Sequence, residues 1–172
     1  MIKTLTLRLL TPADWQPLLD FEACNRAWFE QHVAARGEAF YCRAGIEQHI
    51  ADYLDAYAQG CWFPGLLLDE AGAIIGRVNL KDMDRQAGVA ELGYRVGQEQ
   101  VGKGVASAAV QQTKRLALEQ LGLQRLDAVV SPANLASSRV LEKCGFVRVD
   151  AAPAASQAGG ERALISYRCQ LA

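Results

Sequence analysis

Val89-Ala90-Glu91-Leu92-Gly93-Tyr94-Arg95-Val96 is strand-like, and a glycine-rich loop leads from it into Val101-Gly102-Lys103-Gly104-Val105-Ala106-Ser107, the opening of a long amphipathic helix. Two glycines at spacing two, placed after a strand and before a helix, let the backbone come close to a ligand. The first-turn N–H groups of a helix have no partners within it, and the dipole adds roughly half a positive charge at that end. A phosphate or pyrophosphate is the natural guest, with Lys103 adding a charged contact. The same residues also suit an ordinary tight turn. Two other cradles do not fit. A Walker loop needs its Lys after the second glycine, whereas Lys103 stands between the two. A dinucleotide fingerprint needs a third Gly where Ser107 stands, and it follows the first strand of a parallel sheet.

Upstream of this stretch, residues 62–68 and 73–81 are also strand-like. Asp69-Glu70-Ala71-Gly72 and residues 83–88 separate the three strands, and connections this short allow only antiparallel neighbours, a meander. Downstream, a helix over about 103–121 has Ala106, Ala109, Val110, Thr113, Ala117 and Leu121 on its inner stripe, while Lys114 and Arg115 face outward as solvated charges. The apolar strand 126–130 lies across that helix from residues 89–96, so it can run parallel to them in a β-α-β unit. Asn134 then caps a helix closed by Gly145, and strands 146–150 and 162–171 flank a flexible surface loop at 151–160.

At the N-terminal side, Leu5, Leu7 and Leu9 alternate with Thr6 and Arg8 as a half-buried strand. Thr11-Pro12-Ala13-Asp14 starts a helix that runs through Leu18, Phe21, Trp28 and Phe29 to about Ala35. A second helix has Ile46, Ile50, Leu54 and Tyr57 on one face and stops at Gly60. The order is strand, two helices, three strands, helix, strand, helix, two strands: one mixed α/β (α+β) sheet, read as a single domain over 1–172.

Composition narrows the function. Of 172 residues, 51% are hydrophobic and 22% charged, which suits a folded globular chain. Eighteen Lys and Arg against nineteen Asp and Glu leave a net charge of −1, so general nucleic-acid binding is disfavoured. Five widely spaced cysteines and two histidines make no metal-ligand pattern, and they read as reduced thiols of a cytoplasmic protein. No apolar run is long enough to span a membrane.

The arrangement resembles the GNAT superfamily of acetyl-CoA-dependent N-acetyltransferases, and within it the Rim-type group that acetylates N-termini of ribosomal proteins. Three ordered segments carry the resemblance: residues 90–96, residues 102–106, and Asn134-Leu135-Ala136-Ser137-Ser138-Arg139-Val140-Leu141-Glu142-Lys143-Cys144-Gly145-Phe146. Residues 21–29 look like that group's first helix. The resemblance implies a mostly antiparallel seven-stranded sheet with one splayed parallel pair and about four helices. It implies acetyl-CoA as co-substrate, with no metal. The acyl carrier would be held by backbone near Val96 and by Val101, Gly102, Lys103, Gly104, Val105, Ala106 and Ser107. Asn134 would contact the pantetheine arm, or serve as a plain N-cap, or both. The family's first loop position, usually Gln or Arg, falls here on Val101, so the backbone holds the pyrophosphate without that side chain.

An amine must be neutral to attack a thioester. An α-amine with a pKa of about 8 is roughly one-tenth neutral at pH 7, whereas a lysine at about 10.4 is almost wholly charged. The resemblance therefore suits a protein N-terminus as acceptor, with a small amine or a non-catalytic acyl-CoA-binding role as the alternatives. Glu91 is the candidate base, acting through water, or else a solvated strand glutamate. The family's thiolate-protonating Tyr, four residues before the helix-closing glycine, is replaced by Leu141. Ser137 matches a serine given that role in the Rim-type group, or bonds backbone in a first turn. Trp28, Phe29, Tyr41 and Tyr94 are candidate acceptor-lining residues, and each also suits simple packing. The loop 37–45 and the loop 151–160 carry acceptor choice. A homodimer is compatible with all of this.

Overall fold

A computed structural model describes residues 4–150 and 163–172. Its strands are β1 (Thr6–Leu9), β2 (Phe63–Leu68), β3 (Ile74–Asp84), β4 (Val89–Val96), β5 (Arg125–Val130), β6 (Val147–Val149) and β7 (Ile165–Gln170). They form one sheet in the order β1-β2-β3-β4-β5-β7-β6. Every neighbouring pair is antiparallel except β4 with β5. The expected mostly antiparallel seven-stranded sheet with one parallel pair is therefore present. The expected loop at 151–160 lies outside the described residues.

Five α-helices flank the sheet among the described residues: α1 (Trp15–Cys24), α2 (Arg26–Phe29), α3 (Arg43–Ala58), α4 (Val105–Glu119) and α5 (Leu135–Lys143). On one face, α4 and α5 close a core of Val78, Leu80, Leu92, Ala109, Val110, Ala128, Val130 and Leu141. On the other, α1 to α3 close a second core of Leu18, Phe21, Phe29, Ile46, Ile50, Leu66 and Leu68. Strand β2, second from one edge of the sheet, is buried along its whole length, so its apolar run has no polar alternation to show.

The expected first helix to Ala35 is corrected. It breaks at Asn25, which leaves helical geometry at φ −101° and ψ 7°. The Asn25 Nδ2 donates to the Phe21 carbonyl at 2.9 Å, and its Oδ1 accepts from the Gln98 N–H at 2.9 Å. A side chain that serves both its own preceding turn and a distant loop competes with regular helix bonding. After α2 the chain turns, and only a short 3₁₀ turn at Glu38–Phe40 precedes α3.

Two smaller corrections concern α4. It starts at Val105, so Lys103 lies in the turn before it and not in the helix. Lys114 is not a solvated charge: its Nζ donates to the Cys144 carbonyl at 2.7 Å, tying α4 to the end of α5.

Candidate active site

The parallel pairing of β4 with β5 is short. Val89, Ala90 and Glu91 face Arg125, Leu126 and Asp127, and no later residue of β4 has a partner on that side. β4 continues to Val96 against β3 alone, while β5 continues to Val130 against β7 alone. The two strands therefore part beyond Glu91 and Asp127, leaving backbone groups of residues 92–96 open on one edge.

At the end of that opening stands α4. Gly102 and Gly104 both have a φ of +76°, a backbone conformation that side chains disfavour. No side chain caps the helix at Gly104. The first-turn amides are thus left for an outside acceptor, and nothing stands within 4 Å of where a Cβ on Gly102 would sit. Val101 and Lys103 are exposed beside this turn. Asn134 caps α5, its Oδ1 accepting from the Ser137 N–H at 3.2 Å.

Alternation along β4 sends its side chains to opposite faces. Tyr94 faces α5, where its hydroxyl meets the Ser137 hydroxyl at 2.9 Å. Two residues named separately from sequence are thus in contact. Burial pushes the Tyr94 phenol up to about 12, so it stays neutral near neutral pH. Leu141 is wholly buried in the core on this same face, so no acid stands where the missing tyrosine would be.

Glu91, Gly93 and Arg95 face the other way, toward α1 and α3, opposite Lys81, Asn79 and Arg77 of β3. The Glu91 carboxylate pairs with the Lys81 ammonium at 2.7 Å. Asn79 has a buried Oδ1 with no hydrogen-bond donor among the described residues. A Cβ on Gly93 would meet only the end of the Lys81 side chain, so the middle of this row is open.

Further along the same face lies a group of residues that sequence reasoning missed. The buried Glu22 of α1 accepts from Arg77 Nη1 at 2.6 Å, and Arg77 Nη2 stands 2.8 Å from His49 Nε2 of α3. A guanidinium can only donate, so His49 Nε2 accepts and the ring is neutral with its proton on Nδ1. Burial, then the charge of Arg77, lowers the His49 pKa to about 3. Arg95 packs its guanidinium over Phe29, 4.9 Å from the ring centre. The only sequence signal was a single arginine in each of two apolar strands, and that does not reveal that the two are cross-strand partners.

The remaining acceptor candidates lie around this face. Tyr41 lies under the Arg26 guanidinium at 4.2 Å, and Trp28 packs edge-on against His32 at 5.4 Å. Among the described residues no group of His, Cys, Asp and Glu could hold a metal ion, and no helix is long and apolar enough to cross a membrane.

A mixed sheet opened between its one parallel pair, with an uncapped helix start at the mouth, is the architecture of an acyl-transfer enzyme using a phosphate-bearing carrier. Residues 4–147 match the model of the acetyltransferase (GNAT) domain family, and the chain belongs to that family as an acetyltransferase. Among its relatives is a protein named Probable N-acetyltransferase YjcK from Bacillus subtilis, 33% identical over 84% of this chain and 81% of the relative. The [ribosomal protein uS5]-alanine N-acetyltransferase of Escherichia coli is 28% identical over 83% of this chain and 74% of its own length. The solved ribosomal-protein-S5-alanine acetyltransferase of Vibrio fischeri superimposes with a TM-score of 0.87, covering 99% of this chain and 95% of that one at 23% identity. The spermidine N-acetyltransferase of Vibrio cholerae, solved with CoA and spermine, has the same fold at a TM-score of 0.75, 20% identity, and coverage of 97% and 95%. The ribosomal-protein relative agrees with the Rim-type resemblance in the sequence, and the solved structures agree in fold.

Proposed function

We propose that this enzyme transfers acetyl from acetyl-CoA to a primary amine, in particular a protein N-terminal α-amine, by direct attack while both substrates are bound. The observation that carries this reading is the parting of β4 from β5 after Glu91 and Asp127, directly before the uncapped start of α4. When bound, the co-substrate supplies an activated acetyl thioester.

The chain's own groups then divide by face. Amides of Val105, Ala106 and Ser107 hold the pyrophosphate at the positive end of the α4 dipole, with Val101, Gly102, Lys103 and Gly104 shaping the approach. Backbone near Val96 aligns the acyl end. The Nδ2 of Asn134 is free for the pantetheine arm, because the cap uses only its Oδ1. On the opposite face, Glu91 takes the proton of the attacking amine through water, and the Asn79 Oδ1 accepts a hydrogen bond from that amine. Ser137 donates a hydrogen bond toward the departing sulfur, its oxygen held by Tyr94. A phenol with a pKa near 12 is too weak an acid to protonate a thiolate outright, so Tyr94 orients and does not deliver. Trp28 and Tyr41 line the acceptor's approach, with Phe29 buried beneath Arg95 as its support.

The relative named [ribosomal protein uS5]-alanine N-acetyltransferase supports a protein acceptor, and the unpaired state of all five cysteines supports a cytoplasmic setting. The test is to incubate the protein with acetyl-CoA and three acceptors: peptides with free N-termini, N-blocked lysine peptides, and spermidine. Mass spectrometry should find acetyl on the free α-amines. Acetylation confined to spermidine would overturn the protein acceptor, and no transfer to any amine would overturn the enzyme.

A further inference from the structure

Arg77 and Arg95 stand directly opposite each other on neighbouring strands, side chains on the same face. Like charges in that position repel, and taking charges out of water adds to the cost. One carboxylate serves both. Glu22 bonds Arg77 at 2.6 Å, but its second oxygen stays 3.6 Å from Arg95, beyond hydrogen-bond range. His49 accepts from Arg77 as a neutral ring and carries no negative charge to offset the pair. The Arg95 side chain is only 26% exposed, yet its donors find no hydrogen-bond acceptor among the described residues. A second guanidinium, Arg36, lies near enough to act on both Arg95 and His49, and it too has no carboxylate partner among the described residues; it stacks over Phe40 at 4.3 Å. The acidic residues nearby are engaged: Glu30 and Glu38 both bond Arg26. This wall of the acceptor face therefore holds more positive charge than its own residues balance.

Two rows away the charge is balanced, the Glu91 carboxylate being paired with the Lys81 ammonium. Alternate residues on one face of a strand stand about 7 Å apart, so the Asn79–Gly93 row lies about 7 Å from the Arg77–Arg95 row and the Lys81–Glu91 row about 14 Å. The near end of this strip offers oxygen acceptors to an amine, and the far end offers unpaired guanidinium donors to an anion.

We propose that Arg95, assisted by Arg36, binds a carboxylate carried a few bonds from the acceptor amine, so that this enzyme selects peptides with Asp or Glu at the second or third residue. This rests on the acetyl-transfer reading above and names the acceptor class within it. Polyamines, which carry only cations, meet repulsion at the same wall.

The test compares kcat/KM for peptides identical except at residues two and three, which are acidic, neutral or lysine. A free amino acid and its amide form a separate arm. The acidic peptide should exceed the neutral one by about tenfold, mostly through KM, as for a charge-assisted bidentate contact. In Arg95→Gln that ratio should fall toward one, and Arg95→Lys should keep part of it. A purely structural arginine would lower all peptides together and leave the ratio intact, which overturns the proposal. So does a ratio near one in the native enzyme. Should Arg95→Gln fail to fold by circular dichroism, Arg36→Gln and the loss of the ratio in high salt decide the matter. A free amino acid that outperforms its amide and every peptide keeps the carboxylate contact and overturns the peptide. If no amine of any kind is acetylated, the acetyl-transfer reading itself falls.

Discussion

The Tyr94 hydroxyl lies 2.9 Å from the Ser137 hydroxyl, joining the parted end of β4 to the first turn of α5. Glu91 stands on the reverse face of the same strand, paired with Lys81. A carboxylate and a hydroxyl thus flank one gap from opposite sides, the arrangement on which the proposed roles of Glu91 and Ser137 rest.

Loss of the hydroxyl should be read in turnover. Ser137→Ala is expected to lower kcat about tenfold with KM for acetyl-CoA nearly unchanged, the size of one hydrogen bond made better in the transition state. Tyr94→Phe should give a smaller loss of the same kind. Steady-state kinetics with a single peptide checks both, and a change in KM alone would remove Ser137 from the chemistry.

At the helix start, charge can be separated from shape. Gly104→Asp should weaken acetyl-CoA binding by about a hundredfold or more, because a carboxylate at the positive end of the dipole repels pyrophosphate. Gly104→Asn accepts the same left-handed backbone without the charge and should lose much less. Calorimetry distinguishes them, and equal affinity for all three proteins would count against the loop as the cradle.

Glu91→Gln should lower turnover most at low pH. The α-amine is then mostly protonated, and help in removing its proton matters most. A pH–rate profile superimposable on the native one would exclude Glu91 as the base.

His49 makes stability depend on acidity. Its folded pKa is lowered to about 3, below the usual value of 6.5, so between those values the unfolded chain binds the proton and the folded one does not. Stability is therefore complete above pH 6.5 and falls as the pH drops through that window, by at most about 1.4 kcal/mol per unit. His49→Gln keeps an acceptor for Arg77 and cannot titrate, so urea unfolding at pH 7 and pH 5 should differ less for the variant.

Removing the one carboxylate between Arg77 and Arg95 should be costly. Glu22→Gln is expected to destabilise the fold by about 3 kcal/mol, since it leaves a buried guanidinium without its counter-charge. Chemical denaturation measures this directly.

Much of the architecture was written in local signals. Short connections at residues 69–72 and 83–88 force a meander, Gly104 marks the start of α4, and Asn134 marks the start of α5. The break at Asn25 was not legible, because it depends on a bond to Gln98, seventy-three residues away. Neither was the row structure of the face that β3 and β4 turn toward α1 and α3. The β3–β4 hairpin pairs Asp84 with Val89, and continued without slippage it would set Asp82 against Glu91, two like charges. A bulge, with Asp82 at a φ of +48°, shifts the register by one and brings Lys81 there instead. Counting from the turn misses this, and with it the facing of Arg77 and Arg95.

The amide of Asn25 fastens the end of α1 to the start of the segment leading toward Gly104. Helix α2, with Trp28 and Phe29, begins at the very next residue. A shift of those aromatics would reach, through Asn25, the segment that leads to the amides proposed to hold phosphate. On the proposed reading, one amide side chain therefore ties the aromatic wall to the nucleotide end of the cleft.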